Sequence, residues 1–241
     1  MRNSSRLADF AFMLLAALLG GGSVLLFAAG GAASIVTLQW PEPARLAWDA
    51  ALSLAFFIQH SGMVRQSFHT FLSRTVPGRN QGVVYAIASG IVLALVALLW
   101  QRSGTILYHL HGIAYWLVLA CATAGFALFL WSVLSLRLFD PLGLAPVRAH
   151  LRGREPHTQP LTVRGPYRQV RHPIYLSILI LFWSTPVLTA DRLLLNVLWS
   201  AWIVVGTLLE ERDLAGRFGD SYRSYQKKVP MLIPWRRPSD K

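Results

Sequence analysis

One cysteine, Cys121, serves the whole chain of 241 residues. A lone thiol excludes an intrachain disulfide framework and a metal site built from several thiolates, and it leaves redox chemistry without a partner. Charge is scarce as well: 14% of the residues are charged against 54% hydrophobic, and the mean hydropathy is +0.44. Soluble domains carry about 25% charged residues, so the composition points to a membrane protein. No Gly-x-Gly-x-x-Gly fingerprint, P-loop or His-Glu-x-x-His occurs, which removes the usual soluble nucleotide-binding folds and the zinc peptidase pattern. Internal repeats and low-complexity tracts are missing too. Acids are outnumbered, 11 against 23 lysines and arginines, for a formal charge of +12. The basic excess sits beside apolar runs, where it serves topology and anionic lipid rather than nucleic acid.

What is present is a series of apolar runs, at 8–30, 46–61, 83–100, 113–135, 174–189 and 193–209. A helix needs about 20 apolar residues to cross a bilayer, so the pattern predicts an all-α integral membrane protein with about six transmembrane helices. Residues 1–135 read as a four-helix membrane region. Residues 136–241 read as a second region with a polar loop, a helical hairpin and an amphipathic tail. With the N-terminus inside, 20 of the 23 lysines and arginines fall on the cytoplasmic side, and only Arg45, Arg102 and Arg192 fall outside. The positive-inside rule then sets both termini in the cytoplasm. The N-terminal run also resembles a signal peptide, with small residues at Ala28 to Ala33, but it is long for one and is read as the first span. Its glycines, Gly20, Gly21, Gly22, Gly30 and Gly31, suit close helix contact in lipid.

The stretch from Val163 to Pro234 carries the chemistry. Pro173 is placed to open a helix, because its missing N–H has no partner in a first turn. The free N–H groups there, with Arg164, Arg168 and Arg171 just upstream, make a candidate cradle for a carboxylate or phosphate. The apolar run after it is long enough for two short crossings joined by a turn at Thr189 to Arg192. That hairpin returns Glu210 and Glu211 to the surface where Arg171 and His172 begin. The acids are expected to end the returning helix, where the helix dipole disfavours them. A zwitterionic ligand bearing cations would account for them, and S-adenosylmethionine fits that description. The alternative is an interfacial salt bridge between Arg171 and one of the acids that only fixes the hairpin. Beyond them, Leu214, Phe218, Tyr222, Tyr225 and Val229 recur at helical spacing, with Arg217, Arg223, Lys227 and Lys228 on other faces. This predicts an amphipathic helix on the membrane surface, with a kink or break near Gly219.

Arg-His-Pro-x-Tyr at Arg171 to Tyr175, the pair Glu210 and Glu211, and Phe-Gly-x-x-Tyr-x-x-Tyr-x-x-x-Val-Pro at Phe218 to Pro230 resemble the isoprenylcysteine carboxyl methyltransferase and phospholipid methyltransferase superfamily. The resemblance implies a membrane methyltransferase with S-adenosylmethionine bound by this region. Arg171, His172, Pro173 and Tyr175 would line the cofactor pocket, and Glu210 and Glu211 would close it. Two more segments, Phe57 to Arg65 and Phe139 to Leu144 leading into His150 to Arg154, resemble the bacterial methanethiol S-methyltransferase branch, which implies an inner-membrane enzyme making dimethyl sulfide from methanethiol. Pro141 and Ser177 differ from the pattern.

Arg171 and Glu211 are candidate catalytic residues together with His60, which ends the second span beside Gln59 and Ser61. Gln59 and His60 are the candidate acceptor-binding pair, since ionisable groups within spans are uncommon. An interfacial histidine bonded to a carbonyl is the structural alternative. His109 and His111 lack a third ligand nearby and read as a solvated pair; no metal is expected. His150 and His157 lie in the cytoplasmic loop and read as solvated. Asp49 and Asp191 suit cap or turn roles, and Trp40, Trp48, Trp100 and Trp235 suit interfacial belts. Two rivals remain: the same fold methylating a lipid or prenylated carboxylate, and a non-catalytic membrane accessory protein.

Overall fold

The computed structural model describes residues 2–28, 34–136, 139–155 and 160–235. In chain order its elements are α1 (Arg2–Leu15), a widened π turn (Ala16–Gly21), α2 (Gly22–Ala28), α3 (Glu42–Met63), α4 (Gln66–Leu72) and α5 (Gly78–Leu99). Then come β1 (Ile106–His109), α6 (Gly112–Ser135), α7 (Ala145–Leu151), a 3-10 turn (Gly165–Arg168), α8 (Pro173–Trp183), β2 (Val187–Thr189), α9 (Ala190–Phe218) and α10 (Asp220–Lys228). The protein is mostly helical. Among the described residues, four helices, Leu7–Ala28, α5, α6 and α9, are long and apolar enough to cross a membrane.

The other two expected spans differ from simple crossings. Helix α3 has the length, 22 residues, but Asp49, Gln59 and His60 dilute its apolar character. Helix α8 has 11 residues, a rise of about 16 Å where the hydrocarbon core needs about 30 Å. It stops because Pro186 offers no N–H and pushes Thr185 out of the helical region. Extended chain follows, and Val187–Thr189 pairs antiparallel with β1, with Thr189 opposite Ile106 and Val187 opposite His109. The turn expected at Thr189 to Arg192 is therefore a strand end followed by the first turn of α9, and a two-stranded ribbon interrupts the all-helical plan.

Contacts divide the chain into two units, residues 1–103 with 140–158 and residues 104–139 with 159–241. Helix α6, grouped with the N-terminal region in the sequence reading, belongs to the second. In the first unit, Ala16, Val83, Ala86, Leu144 and Val147 form a buried cluster flanked by Met13, Ile87, Leu142 and Leu151. The first span lies against α5 with no room for side chains between them: a Cβ on Gly90 would stand 2.4 Å from the Leu19 carbonyl oxygen. Small residues do here what hydrophobic drive cannot do in lipid, which is to let two helices make backbone contact. Asp49, fully buried, accepts the Gln101 N–H at 2.8 Å just past the end of α5. Gln101 in turn holds Leu38 N–H at 2.8 Å and the Val36 carbonyl at 2.9 Å.

In the second unit α6 packs along α8. Helix α9 runs 29 residues to Phe218, so Glu210 and Glu211 lie inside it and do not end it. Gly206 before them and Gly216 after them stay helical; Gly219, at φ +57°, makes the stop. The expected break near Gly219 is thus present, and α10 folds back from it. Leu214, Phe218, Tyr222, Tyr225 and Val229 then share one cluster with Leu161 and Ala215 inside the unit. Arg223, Lys227 and Lys228 stay exposed.

Candidate functional site

Arg171 and His172 enter α8 through Pro173, which takes the first helical position. Their own N–H groups, which no helix can satisfy, donate to the carbonyls of Pro230 at 2.9 Å and Met231 at 3.1 Å. The chain after α10 is thereby tied to the start of α8. The side chains converge on α9, and the two neighbouring acids there have unlike surroundings.

Glu211, buried, accepts five hydrogen bonds. Its Oε1 receives Arg171 Nε at 2.9 Å, His172 Nε2 at 2.7 Å and the Tyr222 hydroxyl at 2.6 Å. Its Oε2 receives Arg171 NH2 at 2.7 Å and Gln226 Nε2 at 2.6 Å. A carboxylate offers about four lone-pair positions, so nothing is left for a ligand. Arg171 is engaged to the same degree, since its NH1 also donates to the carbonyls of Gln226 and Val229. Glu211 and Arg171 together clamp α8, α9 and α10. Burial raises the Tyr222 hydroxyl well above the usual phenol range, and its bond to Glu211 adds to the shift. Burial likewise raises Tyr225, whose hydroxyl donates to the Tyr167 carbonyl.

Glu210 stands on the open side. Its side chain is 42% exposed and, among the described residues, accepts one side-chain hydrogen bond, from the Tyr175 hydroxyl at 2.8 Å, with His172 Nδ1 further off at 3.8 Å. The His172 and Tyr175 rings stack with centroids 5.6 Å apart and planes 10° from parallel. Burial raises the nearby Tyr167 hydroxyl, and the negative charge of Glu210 raises it further. Of the upstream arginines, Arg164 donates to the Ser135 carbonyl, and Arg168 is exposed. Five predicted residues, Arg171, His172, Tyr175, Glu210 and Glu211, therefore meet around one buried and one half-open carboxylate.

The remaining pair lies in the first unit. His60 has a ring nitrogen 2.7 Å from the Tyr85 hydroxyl and its ring 5.0 Å from that of Phe56. Gln59 Nε2 reaches Ser89 Oγ at 3.3 Å and Met63 Sδ at 2.9 Å. The His109 and His111 rings lie with centroids 4.1 Å apart and planes tilted by 39°. His150 sits near the end of α7, and His157 lies outside the described residues.

The chain is similar to several known proteins. The methanethiol S-methyltransferase of Pseudomonas sp. (strain GM41(2012)) is 34% identical over 197 residues, 80% of this chain and 75% of that one. Nurim of Rattus norvegicus is 30% identical over 209 residues, 82% of this chain and 76% of its own. The chain belongs to the isoprenylcysteine carboxyl methyltransferase-like family. Methanethiol S-methyltransferase 1 of Bradyrhizobium diazoefficiens, at 38% identity over 190 residues, covers 77% of this chain and 66% of its own length. No family model and no solved structure matches the chain.

For this family member, sequence reasoning missed Tyr222 and Gln226 as partners of the acids, and Tyr85, Ser89 and Met63 as partners of the candidate acceptor pair. A signal existed for Tyr222: a tyrosine within an apolar stripe must find a partner for its hydroxyl when buried. Gln226, one turn further on the same face, follows from it.

Proposed function

We propose that this chain is a membrane methyltransferase that moves the methyl group of S-adenosylmethionine to a small thiol, with methanethiol as acceptor and dimethyl sulfide as product. The observation that carries the reading is the contrast between the two acids. One is consumed by protein donors, and its neighbour is half-exposed beside a stacked His172–Tyr175 pair with acceptor capacity to spare. The donor set suits the cofactor: Glu210 for a positive group, the ring pair for an apolar or π face, and exposed Arg168 for a carboxylate. When bound, S-adenosylmethionine supplies a methyl group activated by a sulfonium. Arg171 and Glu211 fix the backbone of α8 against α9, so that Tyr175 and Glu210 present a rigid edge backed by the buried His172 and Pro173. The acceptor class comes from the relatives named methanethiol S-methyltransferase.

Gln59 and His60 take the acceptor in this reading. A ring nitrogen of His60 receives the thiol proton, and Tyr85 holds the ring in orientation. Apolar surroundings favour the transfer because a thiolate and a sulfonium lose their charges together, and shed water costs least there. Six crossings complete the reading, the fifth made by α8 with the extended residues after it. Both termini face the cytoplasm of a bacterial inner membrane, and α10 rests at that interface with Arg223, Lys227 and Lys228 outward.

Calorimetric binding of S-adenosylmethionine to the purified protein tests the cofactor assignment. Glu210→Gln should weaken binding about tenfold, the loss of one charge-assisted contact, without lowering thermal stability. Unchanged affinity would remove Glu210 from the site.

A further inference from the structure

The carboxamide of Gln59 is poorly served by its own protein. Its Nε2 donates to Met63 Sδ, one turn further along α3, at 2.9 Å, with Ser89 Oγ at 3.3 Å. A thioether is a weak acceptor. Its Oε1 is sealed from solvent and meets no donor among the described residues. An amide with a thioether and a long hydroxyl contact on one side and, among the described residues, no donor on the other has lost its hydration without full return.

A small thiol repairs both sides at once. The thiol sulfur accepts from Nε2 where the Met63 sulfur now stands, and in the bound thiol the S–H donates to Oε1 before its proton passes to His60. The surroundings suit sulfur, which packs well against ring edges: Phe56 is buried, and His60 lies between it and Tyr85, with centroids 5.0 and 5.1 Å away. The Met63 side chain ends in CH3–S–CH2, a thioether that matches dimethyl sulfide (CH3–S–CH3) in its sulfur and both flanking carbons. Resting on the thiol reading above, we infer that Gln59 is the recognition group for the acceptor sulfur, and that Met63 is its built-in surrogate, which holds the subsite between turnovers and limits the acceptor to short alkanethiols.

The test is label transfer from methyl-labelled S-adenosylmethionine to methanethiol, ethanethiol and propanethiol, using the full-length protein in lipid nanodiscs. Met63→Ala should raise kcat/KM for propanethiol relative to methanethiol about tenfold or more, because truncation vacates the room that the longer chain needs. Gln59→Leu should raise the thiol KM about tenfold with a smaller change in kcat, as expected for lost ground-state binding. Met63→Leu keeps the volume, removes the competing sulfur and should lower the methanethiol KM. Retained cofactor affinity identifies variants that are folded. Labelled thiols with an unchanged chain-length ratio in Met63→Ala and an unchanged KM in Gln59→Leu overturn the subsite alone. No labelled thiol from the unmodified protein overturns the thiol reading and the subsite with it.

Discussion

Replacing Glu211 by glutamine separates the structural acid from the ligand acid. The change leaves the Arg171 guanidinium, with its side chain 9% exposed, without a counter-charge. It also puts an NH2 group against donors on at least one side of the former carboxylate. Removing one partner of a buried ion pair costs about 3–5 kcal/mol. The clamp joins α8, α9 and α10, so the loss falls on the whole second unit. In a protein of this size each 1 kcal/mol moves the midpoint by about 2–4 °C, so a fall of roughly 6 °C or more is expected. Glu210→Gln removes one bond from a half-exposed group and should stay within about 0.5 kcal/mol of the parent, as surface changes do. Thermal unfolding in detergent, followed by tryptophan fluorescence, compares the two. Equal midpoints for both variants, or a larger fall for Glu210→Gln, would refute the division of roles between the acids.

His60→Ala should lower turnover about a hundredfold or more, the usual weight of a general base, while cofactor affinity stays level; loss of cofactor binding would give His60 a different role. Tyr167, Tyr222 and Tyr225 titrate above the ordinary value of 10.0, so alkaline titration of phenolate absorbance should show them ionising late or only on unfolding. Because the folded values lie above the unfolded one, the stability these hydroxyls contribute is intact below about pH 10 and declines as the pH rises beyond it; three tyrosines fewer than expected in the late phase would contradict the buried network. Gly90→Val should cost about 1–3 kcal/mol through overpacking against Leu19, whereas Gly21→Ala, with nothing within 4 Å of its added Cβ, should be tolerated; similar midpoints for the two would argue against the close contact of the first span with α5.

The opening of α8 at Pro173 and the stop at Gly219 were legible because proline and glycine act through local backbone sterics, whatever surrounds them. Four of the six apolar runs became long apolar helices for a similar reason: composition alone decides whether a helix tolerates lipid. The end of α8 was misread although Pro186 marks it, because Leu181 to Trp183 before the break and Val187 to Leu188 after it are apolar and hydropathy averages across Ser184 to Pro186. The β1–β2 ribbon pairs residues about 80 positions apart, and a strand of three or four residues has too few alternations to show. The inequality of Glu210 and Glu211 was beyond the sequence. Consecutive residues on a helix point about 100° apart. Which one meets Tyr222 and Gln226 depends on how the left-handed turn at Gly219 returns α10 across α9.

Methyl transfer from S-adenosylmethionine to a thiol yields a volatile product, which headspace analysis detects. Membranes containing the protein, given methanethiol and methyl-labelled S-adenosylmethionine, should release labelled dimethyl sulfide, with the signal much reduced in Glu210→Gln. Absence of volatile label, with label recovered in the lipid extract instead, would contradict the thiol acceptor.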